Sequence, residues 1–338
     1  MTLDIERVKK DFPILRREIA GKRLVYLDSA SSSQKPEAVL DAMDYCYRNY
    51  YANIHRGVYT IAEEATAAFE AARARVAAFV NAPSSRELVF VRNATEAINL
   101  VAYSWGRANL REGDVVVLSH MEHHANVVPW HILAEERGIE LRWIPMTPDY
   151  RLDLGDLDAL LNGASLLAVS AMSNVLGTIN DIRFLADAAH ARDALILVDA
   201  CQYVPHVATD VQAWDADFVA FSAHKMLGPS GIGALWARES LLDAMPPFLG
   251  GGEMIRDVRL DGFTPNELPW KFEAGTPAIA EAMGFGAAVD YLDGLGMDAV
   301  RDHEMRLTRY TLDSLRERFP ETLTVYGPLD ISVRGGAV

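Results

Sequence analysis

Between residues 87 and 236, short continuous apolar runs alternate with longer amphipathic stretches, and this alternation limits the possible folds more than any other feature. The runs ELVFVRN, DVVVLS, ELRWIPM, SLLAVSAM, LILVDA and DFVAFSAH are rich in Val, Ile and Leu and do not alternate with polar residues. That pattern suits strands covered on both faces. ATEAINLVAYSWGRA, NVVPWHILAEERG and IRFLADAAHARDA lie between them and are long enough to be crossover helices. Strand, helix, strand in regular order predicts an α/β fold with a mostly parallel sheet. In such sheets ligands sit at the carboxyl ends of the strands.

Outside this block, residues 36–51 and 59–81 read as helices, and 279–320 as two more before a strand-like TLTVYG. The final DISVRGGAV reads as a strand just beginning, so the chain is expected to be cut short of its natural end. With 338 residues it exceeds the size at which one core stops growing, which predicts a large lobe and a smaller one. A net charge of -15 offers no basic field for nucleic acid or an anionic membrane. MTLDIERVKKDF has no apolar leader core, and no later run approaches the roughly 20 residues of a membrane span, so a cytoplasmic protein is expected. Two cysteines, Cys46 and Cys201, make no disulfide framework and no metal-ligand spacing.

The predicted strand ends carry the chemistry. In FVAFSAHKMLGPSGIGALW, Lys225 stands where an apolar run gives way to a turn. Two readings stay open there: a lysine snorkelling to solvent, or one held partly desolvated so that its neutral amine acts as a nucleophile. VRNATEAINL places Asn93, Ala94, Thr95 and Glu96 at a strand-to-helix junction, where a cap, an anion site, or both are expected. LILVDACQ ends a strand with Asp199 and Gln202, and a carboxylate at that depth calls for a cation, either a basic side chain or a ligand. SHMEHHAN offers His120, His123 and His124 beside Glu122, which fit a metal site less well than an imidazole standing over a flat ligand. No GxGxxG or GxxxxGK[ST] is present. One ligand reconciles an amine, a carboxylate and an anion site: pyridoxal 5′-phosphate (PLP), with an aldehyde for lysine, a ring nitrogen for aspartate and a phosphate for a helix N-terminus.

YLDSASSSQKP, NIHRGVYT, RNATEAINL, EHHANVVPW, SNVLGT, VDACQ, SAHKMLGPSGIG, GGGEMI and FEAGTP together resemble the SUF-type cysteine desulfurases, also described as selenocysteine lyases, within the class V aminotransferases. The resemblance implies a PLP-dependent transferase of fold type I, aspartate-aminotransferase-like, acting as a homodimer. It implies an N-terminal helical segment at 1–25 belonging to the small lobe, a PLP-binding domain at 26–278, and the start of an incomplete C-terminal α+β lobe at 279–338. By motif, Lys225 is the residue that carries the cofactor, Asp199 pairs with its ring nitrogen and His123 stacks on its ring. Gln202 reaches the ring hydroxyl with Asn174 beside it, and Thr95, Ser222 and His224 bind the phosphate. Thr276 is the phosphate ligand lent by the partner subunit. His55 and Arg56 line the mouth of the site, or else form a surface turn before Gly57.

The family's activity converts L-cysteine or L-selenocysteine to L-alanine, with the sulfur passed as a persulfide toward an acceptor protein of iron–sulfur cluster assembly. The family's catalytic cysteine and its carboxylate-binding arginine have no counterpart in these residues, so the chain is expected to bind cofactor without desulfurating. Cys46 shares a helical stripe with Val39, Met43 and Tyr50 and reads as packing. Cys201, at a buried strand end, is expected to be a poor nucleophile. The alternatives are another class V reaction, transamination or lyase chemistry, and a non-catalytic relative that dimerises and binds a partner.

Overall fold

A computed structural model describes residues 3–338. Seven strands form its central sheet: β1 (Leu88–Val91), β2 (Val115–Ser119), β3 (Glu140–Ile144), β4 (Ala164–Ser170), β5 (Leu195–Asp199), β6 (Phe218–Ser222) and β7 (Gly233–Ala237). Their spatial order is β1-β7-β6-β5-β4-β2-β3. The pairings from β3 across to β6 are parallel, whereas β7 runs antiparallel to both β6 and β1. All six expected runs are strands. β7 is a seventh, reached from β6 by a turn rather than a helix, which is how an antiparallel neighbour is joined.

The sheet is covered on both sides because its strands have no polar face. Val117, Val169, Val198 and Phe221 point into one core layer, and Val116, Leu118, Leu197 and Ala220 into the other. This is the period-two geometry of a strand applied to an unbroken apolar run. β3 at one edge is only partly covered, and it carries Glu140 and Arg142, charges that discourage further strand pairing.

The helices of seven or more residues are α1 (Glu37–Asn49), α2 (Thr60–Phe79), α3 (Ala94–Leu100), α4 (Val128–Arg137), α5 (Ile182–His190), α6 (Ile279–Leu295) and α7 (Met297–Arg318), and shorter ones include Ile5–Lys10 in the N-terminal segment. α3 runs on as a π-helical stretch, Val101–Gly106. α4 opens with Pro129 in its first turn and ends at Gly138 in the left-handed conformation, φ 72°, which glycine adopts without penalty. α6 is apolar around most of its circumference because it lies wedged against α1 and α2. Phe12 and Asp11 of the N-terminal segment meet Tyr291 of α6, by ring packing and by a 2.8 Å hydrogen bond.

Two expectations at the C-terminal end are corrected. Residues 322–327, TLTVYG, form no strand, and DISVRGGAV contains a 3-10 turn, Ile331–Val333, with a single bridge from Arg334 to Thr178. The fully buried Arg334 guanidinium donates to the carbonyls of Tyr326, Pro328 and Ala337, so backbone acceptors that a strand would use are already occupied.

Candidate active site

The carboxyl ends of β4, β5 and β6 and the N-terminus of α3 surround a cavity of about 420 Å³. Eight of the expected site residues line it: Thr95, His123, Asn174, Asp199, Gln202, Ser222, His224 and Lys225. They converge because each parallel strand ends on the same side of the sheet and hands its next residues to that rim.

Lys225 closes a 3-10 turn, Ala223–Lys225, directly after β6, and is partly buried. The turn is held from outside. The His224 carbonyl accepts from Ser33 N–H and Ser33 Oγ, both at 3.0 Å, and from Lys35 Nζ at 3.1 Å. Ser33 Oγ in turn accepts the Leu227 N–H at 2.8 Å. Burial lowers the Lys35 amine to about 8.

Asp199, the last residue of β5, is 6% exposed. Its Oδ1 accepts the Cys201 N–H at 3.0 Å, and Oδ2 has no protein donor among the described residues. Burial raises its carboxyl above the ordinary range, against the pull of that N–H, Lys225 and His123. Gln202 donates to the Ala30 carbonyl at 2.8 Å, which fixes its amide at the cavity wall.

His123 accepts the Ala125 N–H on Nδ1 at 3.0 Å, so the neutral ring carries its proton on Nε2. Burial lowers its pKa, and the Lys225 charge adds to that while Asp199 opposes it.

At the far end the first turn of α3 is open. Asn93 is the cap, accepting the Glu96 N–H at 3.0 Å, and Ser222 Oγ accepts the Ala94 N–H at 2.8 Å. The Ala97 N–H bonds to the Asn93 carbonyl, which leaves the Thr95 N–H without a protein acceptor among the described residues. A free first-turn N–H beside a hydroxyl and an imidazole suits an anion. Gly233 lets this turn approach the sheet: a Cβ there would lie 2.8 Å from Asn93 Cα and 2.7 Å from the Phe221 carbonyl.

The aminotransferase class-V family model matches residues 25–332. The chain is a class V aminotransferase family member. A cysteine desulfurase of Dickeya dadantii is 52% identical over 327 residues, covering 96% of this chain and 79% of the relative. A probable cysteine desulfurase of Streptomyces coelicolor is 48% identical over 342 residues, covering 99% and 81%. Among solved structures, the apo cysteine desulfurase of Thermococcus onnurineus NA1 matches with a TM-score of 0.93 at 37% identity, over 99% of this chain and 81% of that one. The cysteine desulfurase CsdA of Escherichia coli matches at 0.87 and 38% identity, over 94% and 79%.

This class V family member is a PLP-dependent fold type I protein, and its cavity fits that cofactor. A buried carboxylate with one oxygen free of any protein donor, an amine on a braced turn and a helical N–H with no protein acceptor, all among the described residues, face one space.

Three expected residues of the class V family member lie elsewhere. Thr276 is exposed and borders a different cavity, beside Glu96 and Phe248. His55 Nε2 meets Glu70 at 2.9 Å and Nδ1 meets Glu253 at 3.6 Å, while Arg56 reaches Glu253 at 3.3 Å. Burial acts to raise the Glu70 carboxyl, but hydrogen bonds and charge from His55, Arg73 and Trp270 hold it at about 2.

Cys46 is fully buried on α1, as its helical stripe implied, and burial pushes its thiol pKa up. Cys201 borders the cavity, with its thiol raised by burial and by Asp199. Among the described residues no group of three His, Cys, Asp or Glu side chains could hold a metal ion, and no helix is long and apolar enough to cross a membrane.

The brace by Ser33 and Lys35 of SSSQKP has no local sequence signal, because its partner His224 is distant in the chain, and Glu122 in SHMEHHAN bears on the site through hydrogen bonds rather than as a metal ligand.

Proposed function

We propose that this chain belongs to a cysteine desulfurase: L-cysteine gives up its sulfur to an acceptor thiol, which becomes a persulfide, and L-alanine is released. The observation that carries the reading is the convergence of Lys225, Asp199 and the open turn of α3 on one cavity. The relatives at 48–52% identity are named for this activity.

When bound, PLP supplies an electron sink for a carbanion at the substrate's α-carbon. Lys225 Nζ would hold the cofactor and could move the α-proton. Asp199 Oδ2 would keep a proton on the ring nitrogen, the cationic partner that suits a buried carboxylate. His123 would cover one ring face, and Gln202 and Asn174 would orient the ring hydroxyl. The Thr95 N–H, Ser222 and His224 bind the phosphate. Thr276 is exposed and away from this subunit's cavity, free to reach the phosphate of a second copy, which supports a homodimer as the working unit, with His55 and Arg56 at the mouth of the site. The acceptor thiol is neither Cys46, which is sealed in the core, nor Cys201, whose thiolate is disfavoured. The finer assignment is a SUF-type, cytoplasmic enzyme that accepts L-cysteine or L-selenocysteine and delivers to a protein of iron–sulfur cluster assembly.

The test is exchange of the substrate α-proton in D2O, followed by NMR with PLP and L-cysteine present, then product analysis after adding an acceptor thiol. Exchange dependent on Lys225 is expected from the chain alone, with alanine appearing only once the acceptor thiol is added. Keto acid in place of alanine would assign transamination instead.

A further inference from the structure

The backbone bonds of the turn that carries His123 are mostly local. They are His120 N–H to the Ile144 carbonyl at 3.0 Å, Glu122 N–H to the Ser119 carbonyl at 3.4 Å, Asn126 N–H to the His123 carbonyl at 2.8 Å and Val127 N–H to the His124 carbonyl at 3.1 Å. His123 itself is exposed on the cavity side, with extended backbone, φ -67° and ψ 147°. Successive side chains of extended backbone point to opposite sides, so the residue before His123 points inward. That residue is Glu122.

Its carboxylate accepts four hydrogen bonds. Oε1 takes the Ser119 hydroxyl at 2.5 Å and the Ser170 N–H at 3.0 Å. Oε2 takes the Ser170 hydroxyl and the Asn126 amide, each at 2.7 Å. The Asn126 carbonyl is itself engaged by the fully buried Trp130 Nε1 at 3.2 Å. One side chain therefore ties the end of β2, the end of β4 and the start of α4 together. Ser170 is also the register partner of Asp199 and lines the cavity.

We propose that Glu122 is a positioning residue for the cofactor site, setting the height and tilt of the His123 imidazole by binding its turn to Ser170 and Asn126. The inference rests on the PLP reading above. Glutamine has the same length, but its NH2 would face either the Asn126 amide or the Ser170 N–H as donor against donor, and turning Asn126 over would strand the Trp130 N–H. Aspartate keeps the charge but falls one methylene short of Ser170 and Asn126.

The experiment is a double-mutant cycle on PLP affinity, read by equilibrium dialysis, together with the visible circular dichroism of the bound chromophore. Glu122→Gln weakens PLP binding about tenfold (~1.4 kcal/mol) and alters the dichroism in an otherwise wild-type chain. In a His123→Ala background the same change costs no further affinity. Asn126→Ala, which leaves Glu122 in place, gives the same pattern if Glu122→Gln does not fold. Equal losses in both backgrounds would mean a general structural role and overturn the proposal. Wild-type protein that binds no PLP would instead overturn the cofactor reading on which it rests.

Discussion

Ser222 Oγ accepts the Ala94 N–H at 2.8 Å, so the last residue of β6 is bonded to the first turn of α3. Removing the hydroxyl leaves a buried N–H unpaired, at a cost of about 1–2 kcal/mol. Because this bond shapes the anion end of the cavity, Ser222→Ala should weaken PLP more than pyridoxal, which lacks the phosphate. Equal losses for the two ligands, measured by fluorescence titration, would contradict that assignment.

Gly233 tests the same junction from below. Its missing Cβ leaves room for Asn93 and the Phe221 carbonyl, both of which would lie under 3 Å from an added methyl group. Gly233→Ala is expected to cost about 1–3 kcal/mol through overpacking and to displace the α3 cap. Chemical denaturation and PLP titration of the variant would show both effects; unchanged values would mean that the turn gives way freely.

Much of this was legible beforehand, for reasons particular residues make plain. Runs such as LILVD are apolar without interruption, and only a strand buried on both faces needs that. Lys225, Asp199 and Thr95 each follow or end such a run, so their meeting at one rim followed from parallel topology. β7 was harder to read, because no crossover helix separates it from β6. TLTVYG looked like a strand, but strand formation needs a pairing partner, and here Arg334 takes the Tyr326 carbonyl. The clamp of Ser33 and Lys35 on the His224 carbonyl links positions far apart in the chain, and no local pattern announces such a contact.

Arg73 and Glu273 form a buried pair at 2.5 and 2.8 Å, and Glu273 also accepts the Phe90 N–H at 2.7 Å. The pair fixes β1 to the segment leading to Thr276. Arg73→Met leaves a buried carboxylate unpaired and is expected to destabilise by about 3–5 kcal/mol. Adding Glu273→Gln should restore part of the loss in urea unfolding; full additivity would show that the two do not act as a pair.

Glu122 also gives stability a pH dependence. Burial raises its carboxyl from the ordinary 4.5 to about 7, with hydrogen bonds from Ser119, Ser170 and Asn126 opposing the rise. Between those two values the folded protein keeps a proton that the unfolded chain has released, so stability falls as pH rises through the window and levels off above it. Relative to Glu122→Gln, wild-type stability should decline by up to roughly 3 kcal/mol across the window. Parallel pH profiles for the two proteins would show that Glu122 does not titrate there.

Reductive trapping shows directly whether Lys225 carries the cofactor. Wild-type protein is incubated with PLP, reduced with borohydride, digested and mapped by mass spectrometry. One pyridoxyl group on Lys225 is predicted, lost in Lys225→Ala and diminished in Asp199→Ala. A label on Lys35 or another lysine, or none in folded protein, would contradict the account.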